Sequence, residues 1–188
     1  MKILLVNNHT VHLDALKDAL SGHELEIISY QPGVGFNEAD KDLIVLSGGG
    51  GEGYEIDDEA RPGKLWYNDE MDFVLKTTKP LLGICMGFEI IVRAYGGEVK
   101  MLNSLIQGHR SLKTTKKGHF EFNKKLLKQF ESHEWHVPDV STKQFEVLAD
   151  SATGIELIRH KHRPLLASQF HPEKGGTLTI SKLLRQFA

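Results

Sequence analysis

The chain contains a single cysteine, and the residues on either side of it give that thiol a chemical context. Cys85 lies in Gly83-Ile84-Cys85-Met86-Gly87, after the apolar run Pro80 to Ile84 and before the helical pattern Met86 to Tyr95. A strand that turns directly into a helix pushes the residue at its apex out of the sheet, and small residues two before and two after relieve the crowding. A helix N-terminus also favours a thiolate through its dipole and free N–H groups. The pattern is that of a nucleophile elbow with Cys in place of Ser, set against the plainer reading of a buried thiol between two glycines. A nucleophilic thiol needs a base. Among the ten histidines, His171 stands out, in Gln169-Phe170-His171-Pro172-Glu173 just past the apolar run Leu165 to Ser168. Pro172 fixes the backbone, and Glu173 is placed to hold the imidazole in one tautomer. The expected catalytic set is therefore Cys85 as nucleophile, His171 as base and Glu173 as the group that orients it. Attack on a carboxamide also creates an oxyanion, which backbone N–H groups stabilise. The N–H of Met86 is one candidate donor, and the glycine run Gly48 to Gly51 after Val45-Leu46 is the source expected for a second. No Gly-Lys-Ser/Thr follows that run, so it is not a phosphate-binding P-loop.

These residues need a scaffold that delivers them to one place. Lys2 to Val6 is an almost continuous apolar run, as expected of a strand covered on both faces. A helix is expected over Val11 to Leu20, a strand over Leu25 to Tyr30 and a short strand over Leu43 to Leu46. A helix over Leu65 to Lys76, a strand over Pro80 to Ile84 and the helix from Met86 complete an alternation that predicts an α/β domain with a mostly parallel sheet. Beyond Gly97 the pattern changes. Phe145 to Leu148, Ile155 to Ile158 and Leu165 to Phe170 read as strands of a partly antiparallel C-terminal extension, and Thr177 to Phe187 as a closing helix. Lys113 to Lys128 carries six lysines and reads as a solvated surface.

Leu46-Ser47-Gly48-Gly49, Leu82-Gly83-Ile84-Cys85-Met86-Gly87 and Gln169-Phe170-His171-Pro172-Glu173 together resemble, in order and spacing, the class I (triad) glutamine amidotransferases, across essentially the whole chain. Within that family Ser132-His133, then Phe145 to Ala149, then Arg159-His160-Lys161 are most similar to the glutaminase part of GMP synthase. The resemblance implies one open-sheet, flavodoxin-like domain over residues 1–188. It implies the triad already named, oxyanion-hole donors at Gly49 and Met86, and Ser132 and His133 near the α-carboxylate and α-amine of glutamine. Two positions depart from the pattern. The family usually carries Gln where this chain has Glu89, one helical turn after the nucleophile. An ionised carboxylate there can only accept hydrogen bonds and opposes thiolate formation. Glu89 must therefore avoid the substrate carboxylate, contact its ammonium group or carry a proton. Glu134-Trp135-His136 also follows Ser132-His133 where the GMP synthase pattern has an Asp.

The implied reaction is hydrolysis of the glutamine side-chain amide through a thioester, with ammonia passed to a separate ATP-dependent synthetase subunit, because no synthetase domain fits in 188 residues. Two alternatives stay open: a free-standing hydrolase of γ-glutamyl compounds, and a weakly active or inactive regulatory relative. Neither a cofactor nor a metal is expected. His133 and His136 are three apart rather than four, with no helix predicted to carry them. A formal net charge of -2, with 40% hydrophobic and 26% charged residues, points to no nucleic-acid or membrane partner. The N-terminal apolar run stops at Asn7, too early for a signal peptide, and one cysteine permits no internal disulfide, so a cytoplasmic location is expected.

Overall fold

The computed structural model describes residues 1–49 and 65–187. Gly50 and Gly51, the second half of the glycine run, lie outside them. Among the described residues one sheet of nine strands runs in the order β2-β1-β3-β4-β9-β8-β7-β5-β6. Its first half is parallel: β2 (Glu24–Ser29), β1 (Lys2–Asn7), β3 (Leu43–Leu46), β4 (Leu81–Ile84) and β9 (Leu165–Ser168). All residues of β3, β4 and β9 are buried, as their unbroken apolar sequences require of strands covered on both faces. The covering helices are α1 (Leu13–Ala19), α2 (Asn68–Lys76), α3 (Met86–Ala94) and α5 (Ile180–Leu184). The closing helix starts at Ile180 rather than at Thr177, and its last turn tightens into a 3-10 helix over Arg185–Phe187.

The second half is antiparallel and larger than its sequence suggests. β5 (Lys100–Thr114) and β6 (Leu126–His136) form a long hairpin joined by α4 (Lys116–Phe122), and β7 (Phe145–Asp150) and β8 (Ile155–His160) link it to β9. The sheet is thus mixed rather than mostly parallel, with four parallel and four antiparallel strand pairings. The antiparallel strands are also not a C-terminal appendix. They leave the parallel core after α3, and the chain returns through β9, which pairs parallel with β4.

The sheet curls, so that its edge strand β6 meets the segment that follows β9. His171 N donates to Phe130 O at 2.8 Å, Thr177 N donates to Lys128 O at 2.8 Å, and Gln129 bridges to Gly176. The lysine-rich stretch Lys113 to Lys128 is in part the interior of this hairpin: Leu127 is fully buried, while Leu126 and the neighbouring lysines face solvent.

Candidate active site

The carboxyl ends of β1, β3, β4 and β9 lie side by side, which is where open α/β sheets present their functional groups. Cys85 follows β4 with φ 49° and ψ −106°, a left-handed conformation that a non-glycine residue holds only when its surroundings force it. Those surroundings are visible. Cys85 N donates to Ser168 O of β9 at 2.7 Å, and Gly87 N donates to Ser47 O at 3.1 Å, so the elbow is bolted to both neighbouring strand ends. The flanking glycines let α3 approach the sheet closely. A Cβ on Gly83 would lie 2.8 Å from Gly87 O, and one on Gly87 would lie 2.4 Å from Leu46 O.

His171 lies at the end of the neighbouring strand, 2% exposed. Its Nδ1 is 2.7 Å from Glu173 Oε1, and its Nε2 is buried without a hydrogen-bond partner among the described residues. A carboxylate only accepts, so the Nδ1 edge carries the proton and Nε2 presents a lone pair in the neutral ring. Gly48 shows what that nitrogen's edge adjoins. A Cβ on Gly48 would lie 3.0 Å from His171 Cε1 and 3.5 Å from Cys85 Cβ, so the base and the thiol flank the same small space. The Cys85 sulfur turns toward Ser132 O at 3.8 Å. Gly49 lies against Met86, whose sulfur would be 2.2 Å from a Cβ there.

The electrostatics differ from the sequence-based expectation of a stabilised thiolate. Burial pushes the Cys85 thiol well above its usual range, and the carboxyl groups of Glu89 and Glu173 push it further. The N–H of Met86 and the side chain of Gln169 pull in the opposite direction without winning. Desolvation outweighs the helix terminus, so Cys85 rests as a thiol and must lose its proton as it attacks. Glu89 is 3% exposed and accepts from Gln169 Nε2 at 2.8 Å. Burial pushes its pKa up to about 7, against the opposing effects of that hydrogen bond, His133 and Arg93. Of the three options open to Glu89, its burial favours carrying a proton, which with a pKa of about 7 it does below neutral pH.

The structure thus gathers Cys85, His171, Glu173, Gly49, Met86 and Glu89 around one site, with Ser132 contributing its backbone carbonyl. His133 is placed differently: its buried ring has Nδ1 at 2.6 Å from Trp135 O and Nε2 at 3.5 Å from Glu131 Oε2. Among the described residues, Glu131, His133 and Glu156 are those whose ligand atoms cluster closely enough to hold a metal ion, all within 4.8 Å of one another. His133 and His136 do not pair, because they sit on a strand rather than a helix. Three neighbours are absent from the sequence-based set. His12 packs edge-on against His171 at 4.8 Å between ring centroids. Its pKa is lowered by burial first and by His171 second. Thr10 Oγ1 would lie 3.4 Å from a Cβ on Gly48, and Gln169 links Glu89 to the thiol. Thr10 and His12 belong to the loop after β1, and their only sequence signal is that position at the carboxyl end of a parallel strand. Gln169 was in view, as part of the His171 motif, but had no assigned role.

The chain is 32% identical over 120 residues to a glutamine-hydrolyzing GMP synthase subunit of Methanococcus aeolicus, covering 62% of this chain and 63% of that protein. It is 34% identical over 119 residues to the protein of the same name from Methanococcus maripaludis, covering 62% of each. The match therefore spans less than two thirds of these relatives. In fold, a protein assigned as a GMP synthase subunit in Thermoplasma acidophilum superposes with a TM-score of 0.78 at 23% identity, over 100% of this chain and 92% of that one. A glutamine amidotransferase from Thermotoga maritima superposes with a TM-score of 0.70 at 16% identity, over 100% and 80%. The model of the glutamine amidotransferase class-I family matches residues 4–188, and the chain belongs to that family.

Proposed function

We propose that residues 1–188 act as one glutamine amidotransferase domain, which hydrolyses the side-chain amide of glutamine and supplies ammonia to a separate ATP-dependent synthetase subunit, as in GMP synthase. The observation that carries this reading is the juxtaposition of a thiol at a strained strand–helix elbow with a buried imidazole whose Nδ1 is 2.7 Å from Glu173 and whose Nε2 is left free. The relatives named as one glutamine-hydrolyzing subunit of GMP synthase support the division of labour between separate chains.

In this mechanism the Cys85 sulfur attacks the amide carbon while His171 Nε2 takes the thiol proton. The raised thiol pKa means that His171 must remove the proton for the attack, which does not draw on a standing thiolate. Glu173 holds the ring and stabilises the imidazolium. The oxyanion is received by the N–H groups of Gly49 and Met86. The C–N bond then breaks, His171 returns the proton to the departing nitrogen, and ammonia leaves behind a thioester. Water attacks the thioester with His171 as base, releasing glutamate and the thiol. Ser132 is assigned to the end of the site that holds the α-carboxylate and α-amine, whereas His133, whose ring nitrogens face Trp135 O and Glu131, is not. Glu89 braces Gln169, and below about pH 7 it does so in its protonated form without placing a negative charge beside the thiol.

Among the described residues no helix is long and apolar enough to cross a membrane, and the proposed setting is cytoplasmic. The test is ammonia release from glutamine by the chain alone and with the synthetase component of GMP synthase. The proposal expects release that rises with the partner, and transfer of the amide nitrogen to the partner's product. No release under either condition would overturn it. Release indifferent to every synthetase tried would assign the chain instead as a free-standing γ-glutamyl hydrolase.

A further inference from the structure

The inward face of β6 carries an unusual series. Leu127, Gln129, Glu131 and His133 alternate with more exposed residues and are all buried, so three of the four side chains that this strand sends into the interior are polar. Gln129 is satisfied, donating to Leu178 O at 2.8 Å and accepting from Leu178 N at 2.9 Å. Glu131 and His133 are not. They meet Glu156 of β8, brought opposite by the curl of the sheet, and the exposures of Glu131, His133 and Glu156 are 2%, 5% and 1%. Three of their polar atoms, Glu131 Oε1, His133 Nε2 and Glu156 Oε2, are buried without a hydrogen-bond partner among the described residues. The other Glu156 oxygen is held by Ser151 Oγ at 2.6 Å, which leaves Oε2 free.

The tautomer of His133 follows from its other nitrogen. A carbonyl oxygen only accepts, so Nδ1, 2.6 Å from Trp135 O, carries a proton. Nε2 then faces the two carboxyl groups with a lone pair when the ring is neutral. That is the arrangement of a metal-ligating histidine, whose second nitrogen is anchored to a backbone carbonyl. A protonated ring would instead donate from Nε2 to Glu131 Oε2, but the separation of 3.5 Å is longer than a formed charge-assisted hydrogen bond. Among the described residues neither of these buried carboxyl groups is paired with a Lys or Arg, and His133 is the basic group beside them.

We propose that Glu131, His133 and Glu156 form a binding site for one divalent transition-metal ion, of which zinc is the representative. One imidazole nitrogen and two carboxylate oxygens suit zinc or manganese better than magnesium or calcium, which favour all-oxygen shells. The ligand atoms lie within 4.8 Å of one another, close enough to contract onto an ion with bonds of about 2.1 Å. The ion would tie edge strand β6 to β8. Ser132 lies between two of the ligands, and its carbonyl faces the Cys85 sulfur, so the tie also fixes one wall of the catalytic space.

The test is calorimetric titration of zinc into the untagged, chelator-stripped full chain, in a Cys85→Ser background so that the thiol cannot bind. One zinc per chain is expected, with an anomalous-scattering peak between Glu131, His133 and Glu156 in zinc-soaked crystals. Glu131→Gln and Glu156→Gln keep side-chain shape and remove the charge, and each should weaken binding about tenfold or more. Circular dichroism establishes that these variants are folded, and His136→Ala serves as a control that should bind normally. Absence of stoichiometric binding, binding undiminished in both Gln variants, or a peak located elsewhere would overturn the site and leave the three side chains as a proton-sharing cluster.

Discussion

The two halves of the sheet are built on opposite rules, and the active site lies where they meet. The parallel half is buried on both faces and holds its reacting groups rigidly at strand ends. Cys85, His171 and Glu173 are each a residue or a few past the end of β4 or β9, and backbone hydrogen bonds from Cys85 to Ser168 and from Gly87 to Ser47 fix the elbow. The antiparallel half is half-solvated. β5 exposes most of its fifteen residues, and β6 sends polar groups inward. In the proposed mechanism one half carries chemistry that tolerates almost no displacement, and the other carries recognition, where residues can change without disturbing the elbow. The departures from the family pattern, at Glu134 to His136, fall in that second half, although Glu89 does not.

The comparison breaks first at the thiol. Cys85→Ser should lower ammonia release on the order of 10^3-fold or more, because the described geometry offers no other nucleophile. A glutamine-like electrophile should add one mass increment to the native chain and none to the variant, as read by intact-protein mass spectrometry. A Ser variant that still hydrolyses glutamine at a comparable rate would remove covalent thiol catalysis altogether. Glu173→Gln comes next. An amide can turn its NH2 toward His171 Nδ1 and force the proton onto Nε2, which disables the base. The expected loss in kcat is roughly 10^2-fold with little change in melting temperature. A loss below about threefold would mean that the ring keeps its tautomer without Glu173.

The antiparallel half should respond differently. Ser132→Ala removes a hydroxyl while leaving the carbonyl that faces the thiol. If this half recognises rather than reacts, KM for glutamine should rise about tenfold with kcat nearly unchanged, as for loss of one hydrogen bond to a charged group. A fall in kcat with constant KM would move Ser132 to the chemical side of the comparison.

The same division explains what could be read from the sequence. β1, β3, β4 and β9 announce themselves, because burial on both faces demands unbroken apolar runs such as Leu43 to Leu46. The proposed triad is equally legible as a pattern, because an elbow needs glycines at fixed offsets and an oriented imidazole needs a nearby carboxylate. β5 and β6 carry no such signature. Met101, Leu105 and Leu126 are exposed, Gln129, Glu131 and His133 are buried, and an alternation with polar residues inward does not register as hydrophobic periodicity. Burial is what the motifs could not report. The helix terminus pointed to a stabilised thiolate, yet enclosure by both halves of the sheet raises the pKa of Cys85. His12 reaches His171 only through the fold, since residues 12 and 171 stand 159 positions apart.

Glu89 joins the two halves and provides the finest test. It stands on α3 in the parallel half, accepts from Gln169, and interacts electrostatically with His133 of the antiparallel half. With its pKa raised to about 7, chiefly by burial, Glu89 is largely neutral in mildly acidic solution and ionises as the pH rises past neutrality. Ionisation adds a negative charge that pushes the Cys85 thiol further up, so any penalty on attack appears only on the alkaline side. Glu89→Gln keeps an acceptor for Gln169 Nε2 and removes the charge. Ammonia release by this variant should match the native chain at about pH 6 and exceed it about two- to fivefold at about pH 8.5. Stability carries the same sign. A carboxyl whose folded pKa lies above its unfolded value of 4.5 costs stability as pH rises from there to about 7, so the melting temperature of the variant should gain on the native one across that window and hold its lead above it. A rate ratio that does not change with pH, together with parallel melting curves, would show that Glu89 is not titrating beside the thiol. The contact between the halves at Gln169 would then be a packing contact without electrostatic consequence for Cys85.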